Sequence, residues 1–209
     1  MKLTVQTFLT LDGVMQAPGG PEEDPSDGFS HGGWQAPFAD PAVGEFVNEL
    51  NAHASAFLFG RRTFEIFRGY WPDQTDPANA IATAINSRPK HVVSKSLSPT
   101  DVTWRGEHPE TAHLVTGDVL AAVQALKSEP GDELQVWGSG TLLDTLLQHQ
   151  LVDRFRLMTF PLLLGSGRRL FNAGIVPTTM RAVELITTKL GIVIGTYEPA
   201  GQVRVGEVS

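Results

Sequence analysis

The sequence has no cysteine among its 209 residues. Disulfides, thiolate zinc sites, iron–sulfur clusters and cysteine nucleophiles are therefore excluded together, and the chain suits a reducing compartment such as the cytoplasm, where we expect it to act. Basic residues are also scarce, since 16 Lys and Arg stand against 23 Asp and Glu and leave a formal charge of -7. Nucleic acids and anionic membranes attract positively charged proteins, so we expect neither as a partner.

Long apolar runs are missing as well. No segment approaches the ~18 consecutive apolar residues of a membrane-spanning helix, and residues 1–8 alternate apolar and polar side chains as a strand does. The six histidines include no pair at i, i+4 spacing, so no metal site is predicted. The sequence does contain 41% hydrophobic residues, 21 Gly and 14 Pro, without an internal repeat or a dividing linker. We predict a single globular domain over residues 1–209.

The pattern of apolar residues predicts an α/β fold. Short apolar strands alternate with amphipathic helices from residue 43 to 150, which is typical of a mostly parallel sheet covered on both faces. Two β-rich runs, 182–188 and 192–197, predict a hairpin that adds an antiparallel edge. Residues 12–40 are rich in Gly, Pro and acid, and a loop of this length is typically a lid, a binding loop or a flexible insertion. The predicted strands are 1–8, 56–59, 91–94, 102–105, 112–115, 133–137 and 153–160, and the predicted helices are 43–50, 63–70, 79–86, 119–126 and 141–150.

Three turns that follow predicted strands are suited to an anion. Residues 138–141, Gly-Ser-Gly-Thr, leave a strand and enter a helix, where free amides and the helix dipole attract phosphate. Residues 60–65, Gly-Arg-Arg-Thr-Phe-Glu, add guanidinium and hydroxyl donors, and residues 94–96, Ser-Lys-Ser, add hydroxyls and an ammonium. Each has a plain structural alternative: a tight turn, an N-cap with solvated arginines, and a polar loop. Together, at the carboxyl ends of parallel strands, they predict an extended polyphosphate ligand along one rim of the sheet.

Two other chemistries do not fit residues 138–141. The dinucleotide fingerprint requires a third glycine where Leu143 stands, so the ordinary Rossmann pattern is not met. A serine nucleophile elbow requires a glycine where Trp137 stands, which argues against serine hydrolysis.

The order of five motifs along the chain resembles the dihydrofolate reductase superfamily. The greater similarity is to its riboflavin-biosynthesis reductase branch, the RibD C-terminal domain, which reduces a ribosyl-aminouracil intermediate. The resemblance covers nearly the whole chain and implies a dihydrofolate reductase-like mixed, mostly parallel sheet flanked by helices with an antiparallel C-terminal edge. It also implies NADPH bound across the strand ends. The motifs are Leu-Asp-Gly-Val-Met (11–15), Gly-Arg-Arg-Thr-Phe-Glu (60–65), Val-Ser-Lys-Ser (93–96), Val-Trp-Gly-Ser-Gly-Thr-Leu (136–142) and Pro-Leu-Leu-Leu-Gly-Ser-Gly (161–167).

The resemblance also implies roles for individual residues. Residues of the 60–65 motif would bind cofactor phosphates, those of 94–96 would flank the adenosine 2′-phosphate, and those of 138–141 would cradle the diphosphate. Residues 14 and 15 would lie near the nicotinamide, and residues 12–40 would take the place of the mobile active-site loop. The residues so assigned are Val14, Met15, Gly60, Arg61, Thr63, Ser94, Lys95, Ser96, Gly138, Ser139, Gly140, Thr141 and Leu142.

On the substrate side the assignments are fewer. Dihydrofolate reductases carry a carboxylate on the helix after the mobile loop, and by that likeness Glu45 is the catalytic candidate, with a solvated surface glutamate as the alternative. Asp12 is a second catalytic candidate near the nicotinamide, although Asp-Gly is also a turn signal. Trp34 and Phe38 either stack on a planar substrate or seal the core. Residues 168–169, Arg-Arg, either face a phosphate or form a solvated turn, and we favour the turn, so no obvious basic cluster for a ribose phosphate is evident outside the cofactor motifs.

Three functional hypotheses follow. The first is an NADPH-dependent reductase that passes hydride to a C=N or C=O bond of a small heterocyclic or ribosyl-aminopyrimidine substrate, similar to 5-amino-6-(5-phosphoribosylamino)uracil reductases. The second is a non-catalytic nucleotide-binding or regulatory module on the same fold. The third, an interaction protein without a cofactor, requires that all three turns be purely structural. We also expect a homodimer, because the β-rich carboxyl third offers an edge for pairing.

Overall fold

The computed structural model describes residues 1–106 and 108–207. The strands are β1 (Lys2–Thr10), β2 (Ala54–Gly60), β3 (Lys90–Val93), β4 (Ala112–Val115), β5 (Glu133–Trp137), β6 (Arg154–Phe160), β7 (Thr178–Thr187) and β8 (Val193–Gln202). The helices are α1 (Pro41–Ala52), α2 (Arg61–Tyr70), α3 (Ala80–Ser87), α4 (Val119–Ser128) and α5 (Gly140–Gln148), and short 3-10 turns lie at Ser26–Gly28, Ala36–Phe38, Trp71–Asp73 and Pro109–Thr111. None of the helices in the two described ranges is long and apolar enough to cross a membrane.

The strands form one sheet in the order β4-β3-β2-β5-β1-β6-β8-β7. All neighbours from β4 to β6 are parallel, while β8 pairs antiparallel with both β6 and β7. The predicted mixed, mostly parallel sheet with an antiparallel C-terminal edge is therefore confirmed. The predicted hairpin is also present, with both strands longer than the apolar runs that indicated it.

Helices cover both faces of the parallel part of the sheet. Along β1, Leu3 and Val5 pack into one core, and Phe8 packs against the other. Buried residues of α4 and α5 belong to the first core, and those of α1, α2 and α3 face the second. Because both of its faces are buried, β2 is apolar on both sides, which explains its short continuous hydrophobic run. The neighbouring strands β1, β5 and β6 also bury polar side chains, among them Gln6, Glu133 and Arg156.

One predicted strand is wrong. Residues 102–105 form no strand in the described part of the chain, although Val102 and Trp104 are buried. The ammonium of Lys90 lies 4.3 Å from the ring centre of Trp104, and the indole N–H donates to Asn86 Oδ1 (3.1 Å). The alternation of apolar residues here reflects burial against α3 and β3, without a partner strand.

The long loop of residues 12–40 is folded against the body of the protein. Gln16 holds it from inside, because its side-chain amide donates to the carbonyls of Asp24 and Ser26 at 3.1 Å each. The carbonyl of Gln16 accepts the indole N–H of Trp34 (2.8 Å). Both Gln16 and Trp34 are buried, so the loop has a small core of its own.

Candidate functional site

Two of the predicted turns lie side by side, because β2 and β5 are neighbours in the sheet. The first turn contains Gly60 and opens α2, and the second contains Gly138 and opens α5. Two hydrogen bonds join them: the Gly60 amide donates to Ser139 Oγ (2.9 Å), and the Ser139 amide donates to Thr63 Oγ1 (2.9 Å). The two hydroxyls therefore fix the spacing between the turns.

Gly138 lies where these turns approach closely. Its φ is +55°, in the left-handed region, and a Cβ at this position would lie 2.9 Å from Thr63 Oγ1. Any side chain there would press on the hydroxyl that accepts the Ser139 amide. This glycine is required by the close packing of the two turns as well as by its backbone conformation.

The helices that start from these turns begin without a side-chain cap. The N-cap residues are Gly60 for α2 and Ser139 for α5, and within the described residues neither helix shows a side-chain hydrogen bond at its cap. The other three α-helices are capped by Asp40, Asn79 and Asp118, whose side chains accept an amide hydrogen bond. Free N-terminal amides and the positive end of the helix dipole attract anions, and here two such ends start from one hydrogen-bonded junction.

Three predicted residues of the second turn have different surroundings. A Cβ on Gly140 would meet no atom of the described residues within 4 Å, and Thr141 is exposed. Leu142 instead is buried with Leu143 in the core on that side of the sheet. Gly140 and Thr141 are accessible to a ligand, whereas the Leu142 side chain is not.

The third turn, after β3, is connected to the first by Arg61. The Arg61 guanidinium donates to Ser96 Oγ (2.8 Å) and to Glu65 Oε1 (2.8 Å). The buried Ser94 hydroxyl accepts the Ser96 amide (3.2 Å), and Lys95 is exposed. The three turns thus form one continuous polar rim along the carboxyl ends of β3, β2 and β5.

Val14 and Met15 follow the central strand β1 and are buried. Val14 forms an isolated antiparallel bridge with Arg169, and the Met15 amide donates to the Arg168 carbonyl (2.8 Å). A Cβ on Gly167 would lie 2.7 Å from Val14 Cγ1. The structure therefore places these two residues tightly against the segment that follows β6.

Asp12, one of the two predicted catalytic residues, has a structural role. Its carboxylate accepts the Thr10 hydroxyl and the amides of Leu164 and Gly165. The hydrogen bond from Thr10, together with those from Gly165 and Leu164, lowers the pKa of Asp12 to about 2. A carboxyl group with this pKa is ionised at neutral pH and is a poor proton donor. Asp12 holds the segment after β6 beside β1, and its catalytic role stays a prediction.

Glu45, the other predicted catalytic residue, lies on the exposed side of α1. Val43 and Val47 form the buried stripe of this helix. Since successive residues of a helix are about 100° apart, Glu45 points away from that stripe. This position matches the surface alternative.

Trp34 and Phe38, predicted to contact a substrate or to seal the core, both pack on Phe160. Their ring centres lie 5.5 and 5.6 Å from that of Phe160, in edge-to-face geometry, and Phe8 makes a third such contact at 5.9 Å. Trp34 is buried, so it seals the core. Phe38 is half-buried and keeps part of its ring accessible.

A sequence profile of the RibD C-terminal domain matches residues 1–194. The chain belongs to this family. This RibD C-terminal domain is 25% identical over 202 residues to the uncharacterized protein YyaP of Bacillus subtilis (strain 168), with 94% of each chain covered. The family indicates a reductase, and the resemblance seen in the sequence is confirmed.

Solved structures with the same fold extend this comparison. A putative riboflavin biosynthesis protein from Shewanella sp. PV-4 matches 96% of this RibD C-terminal domain and 99% of its own chain, with a TM-score of 0.66 at 18% identity. Acinetobacter baumannii RibD matches with a TM-score of 0.63 at 15% identity, over 95% of this chain and 58% of its own. Dihydrofolate reductase from Enterococcus faecalis, complexed with NADP(H) and RAB-propyl, matches with a TM-score of 0.59 at 15% identity, over 95% and 96%. These similarities confirm the predicted dihydrofolate reductase-like fold.

The RibD C-terminal domain also contains a basic cluster that sequence reasoning missed. Arg62, at the start of α2, and Arg168, after β6, both donate to the carboxylate of Asp24 in the long loop. The interpretation of Arg168 as a solvated turn residue is therefore wrong. Arg168 and Asp24 are 144 positions apart, so no local pattern joins them. The acidic residues 22–24 and the Arg-Arg pair 168–169 are the two sequence signals of this cluster.

Proposed function

We propose that this RibD C-terminal domain protein is an NADPH-dependent reductase that transfers hydride to a small heterocyclic or ribosyl-aminopyrimidine substrate. One observation carries the proposal: two uncapped helix N-termini, those of α2 and α5, start from turns that are hydrogen-bonded to each other. A dinucleotide diphosphate needs such a group of amides at the carboxyl ends of parallel strands. The reaction belongs in a reducing compartment, and we propose the cytoplasm.

The described residues fit this cofactor in three places. The first-turn amides of α5, beside the open space at Gly140, would hold the diphosphate. Arg61, Lys95 and Ser96 would hold the adenosine 2′-phosphate, since the Arg61 guanidinium donates to the Ser96 hydroxyl and the exposed Lys95 is the residue before it. Thr63 and Ser139 would position the turns, because their hydroxyls already bond to protein groups.

The chemistry divides between cofactor and protein. NADPH, when bound, supplies the hydride. The residues of the chain bind and orient it and exclude water, which the buried residues Val14 and Met15 and the folded loop next to them favour. Neither predicted carboxylate suits proton donation, since Asp12 is ionised and Glu45 is exposed away from the buried stripe. We propose that a single bound water molecule delivers the proton while bulk water is excluded.

Cofactor titration tests the proposal directly. Trp137 precedes the turn at Gly138, so NADPH should quench tryptophan fluorescence, and cofactor at a hundred times its Kd should stabilise the fold by about 2.7 kcal/mol. NADH is the matched control, and we expect it to bind more weakly because it lacks the 2′-phosphate. Absence of both quenching and thermal protection at millimolar NADPH would refute the cofactor assignment.

A nucleotide-binding or regulatory module on the same fold is the second candidate. The positions of Trp34 and Glu45 favour it. A reductase needs a residue that contacts the substrate, but Trp34 seals the core, and it needs an acid, but Glu45 faces solvent. The two candidates differ in turnover. Tight NADPH binding without oxidation of NADPH in the presence of aminopyrimidine, pterin and flavin substrates would establish the module and exclude the reductase.

We propose a second copy of this chain as the partner, paired through β7. This strand is at the sheet edge, and nine of its ten residues are exposed, among them Val183, Leu185 and Ile186. Antiparallel pairing of β7 with its own copy would satisfy the free backbone groups and cover these side chains in a symmetric dimer. Sedimentation at micromolar concentration should give a dimer that Leu185→Lys dissociates, and a monomeric wild-type protein would contradict the pairing.

A further inference from the structure

Two arginines from distant parts of the chain converge on one carboxylate of the long loop. Arg62 Nη1 lies 3.2 and 3.3 Å from the two carboxylate oxygens of Asp24, and Arg168 Nη2 donates to the same carboxylate. Both guanidiniums also donate to Ser26 Oγ, each at 2.7 Å. Asp24 and Ser26 thus lie between two cations, one from the start of α2 and one from the segment after β6. The 23–26 segment of the loop is the only described part that joins these two arginines.

The lowered pKa of Asp24 shows that its surroundings stabilise the ionised carboxylate. Burial by itself raises the pKa of Asp24, but the Ser26 hydroxyl and the charge and hydrogen bond of Arg168 outweigh it and lower the pKa below its ordinary value. The side chain of Asp24 is only 11% exposed, whereas those of Arg62 and Arg168 are 53% and 37% exposed. The acid is covered and the two cations remain accessible from solvent, so another anion can approach them.

Space for such an anion lies beside Arg62, one of the two arginines. A cavity of about 410 Å³ is bounded by the loop residues 23–26 and by Arg62, Glu65 and Ile66 of α2. Arg62 is next to Arg61 and Thr63 in the turn that we assign to the cofactor. A phosphate group bound near the start of α2 would therefore reach the guanidinium that now holds Asp24.

We propose that Arg62 and Arg168 form a phosphate-binding site whose occupant in this structure is the protein's own Asp24, so that a phosphate-bearing ligand displaces the loop carboxylate and releases the 23–26 segment. The Asp24 carboxylate thus competes with the ligand's phosphate for the two guanidinium groups. Guanidinium groups bind carboxylate and phosphate with the same paired hydrogen bonds, and phosphate brings the greater charge. The inference goes beyond the proposed function, because it holds for any ligand with an accessible phosphate and needs no hydride transfer.

Three variants separate this competition from a merely structural ion pair. Asp24→Asn keeps the shape and removes the competing charge, so pyrophosphate should bind about tenfold more tightly. Arg168→Gln removes half of the site, so pyrophosphate should bind about tenfold more weakly. Asp27→Asn is the matched control, because Asp27 is 78% exposed and contacts Arg168 only at 3.3 Å, and its effect should stay below about twofold.

Hydrogen–deuterium exchange of residues 16–29 measures release of the loop. Asp24→Asn and Arg168→Gln should both increase exchange, and pyrophosphate should increase it in the wild type above a sodium chloride control of equal ionic strength. A structural ion pair predicts the same loosening in both variants without opposite effects on affinity. If Asp24→Asn tightens the binding of none of pyrophosphate, NADPH and ribose 5-phosphate, the competition does not exist. Should Arg168→Gln not fold, Arg62→Gln, at a half-exposed side chain, provides the same weakening.

Pyrophosphate, NADPH and ribose 5-phosphate distinguish the sources of the phosphate. Binding of all three that tightens in Asp24→Asn indicates a general phosphate site, and tightening confined to NADPH or to ribose 5-phosphate assigns it to cofactor or substrate. Each of these results supports the competition. Loss of the cofactor assignment with retained pyrophosphate effects would refute the proposed function alone.

Discussion

Removing the Thr63 hydroxyl tests how the two central turns are held. In Thr63→Val the side-chain volume is kept, but the buried Ser139 amide loses its acceptor at 2.9 Å. An unsatisfied buried N–H costs about 1 to 3 kcal/mol. For a domain of about 200 residues, 1 kcal/mol lowers Tm by roughly 2 to 4 °C, so the variant without cofactor should unfold about 2 to 12 °C lower than the wild type.

The same change should weaken NADPH binding indirectly. Without the Thr63 acceptor the turn at Gly138 is free to shift, and a loss of about 1.4 kcal/mol in cofactor binding corresponds to a tenfold rise in Kd. Thr145→Val in α5 is the matched control, because the same chemical change there breaks no hydrogen bond recorded among the described residues. Its Tm and its NADPH affinity should stay close to those of the wild type.

Two outcomes would refute this reasoning. Equal Tm values for Thr63→Val and Thr145→Val without cofactor would show that the hydrogen bond to Ser139 contributes nothing to stability. An unchanged Tm together with a raised Kd would show that the Thr63 hydroxyl binds the cofactor itself. Thermal unfolding with and without NADPH, followed by tryptophan fluorescence, measures both quantities in one experiment.

Three further predictions use the same measurements. Gly138→Val should lower Tm and NADPH affinity, because its Cβ would lie 2.9 Å from Thr63 Oγ1; an unchanged Kd in a folded variant would remove the turn from the site. Arg61→Gln should reduce the preference for NADPH over NADH about tenfold while NADH affinity stays constant. Burial lowers the pKa of Lys90 to about 7, so the unfolded chain holds a proton that the folded chain releases, and stability should rise between about pH 7 and 10 by up to ~1.4 kcal/mol per pH unit. Lys90→Met should flatten this rise. If the free energy of unfolding, measured in urea, rises equally with pH in both proteins, the prediction is wrong.

The spacing of apolar residues predicts an element correctly when the buried residues belong to that strand or helix itself. The run Phe57-Leu58-Phe59 is buried on both sides of the sheet, and Val123 and Leu126 form one helical stripe, so both elements follow from the sequence. Residues 102–105 alternate apolar and polar side chains as a strand does, but they face α3 and β3 and have no strand beside them. A pattern in one segment records that side chains are buried and does not record what buries them.

The sequence predicts the turns of the candidate site, but it does not predict which side chains contact each other there. Glycines and hydroxyls at the ends of β2 and β5 indicate an anion site from their residue types alone. That Ser139 and Thr63 bond to each other, and that Arg168 reaches Asp24, depends on distances in space between residues far apart in the chain. The role of Asp12 is of the same kind, because the amides it accepts come from the segment after β6.

The central place of β1 in the sheet has a consequence for folding during synthesis of the chain. The register pairs Lys2 with Glu133 and Thr10 with Phe160, so β1 lies between two strands that are synthesised much later than it is. At about 5 to 20 residues per second of synthesis, β1 waits on the order of ten seconds for both neighbours. During this time its apolar residues have no sheet to enter, and pairing over such sequence distances is slow even in the finished chain. The backbone of β1 therefore has both of its sheet partners only after β6 has been synthesised.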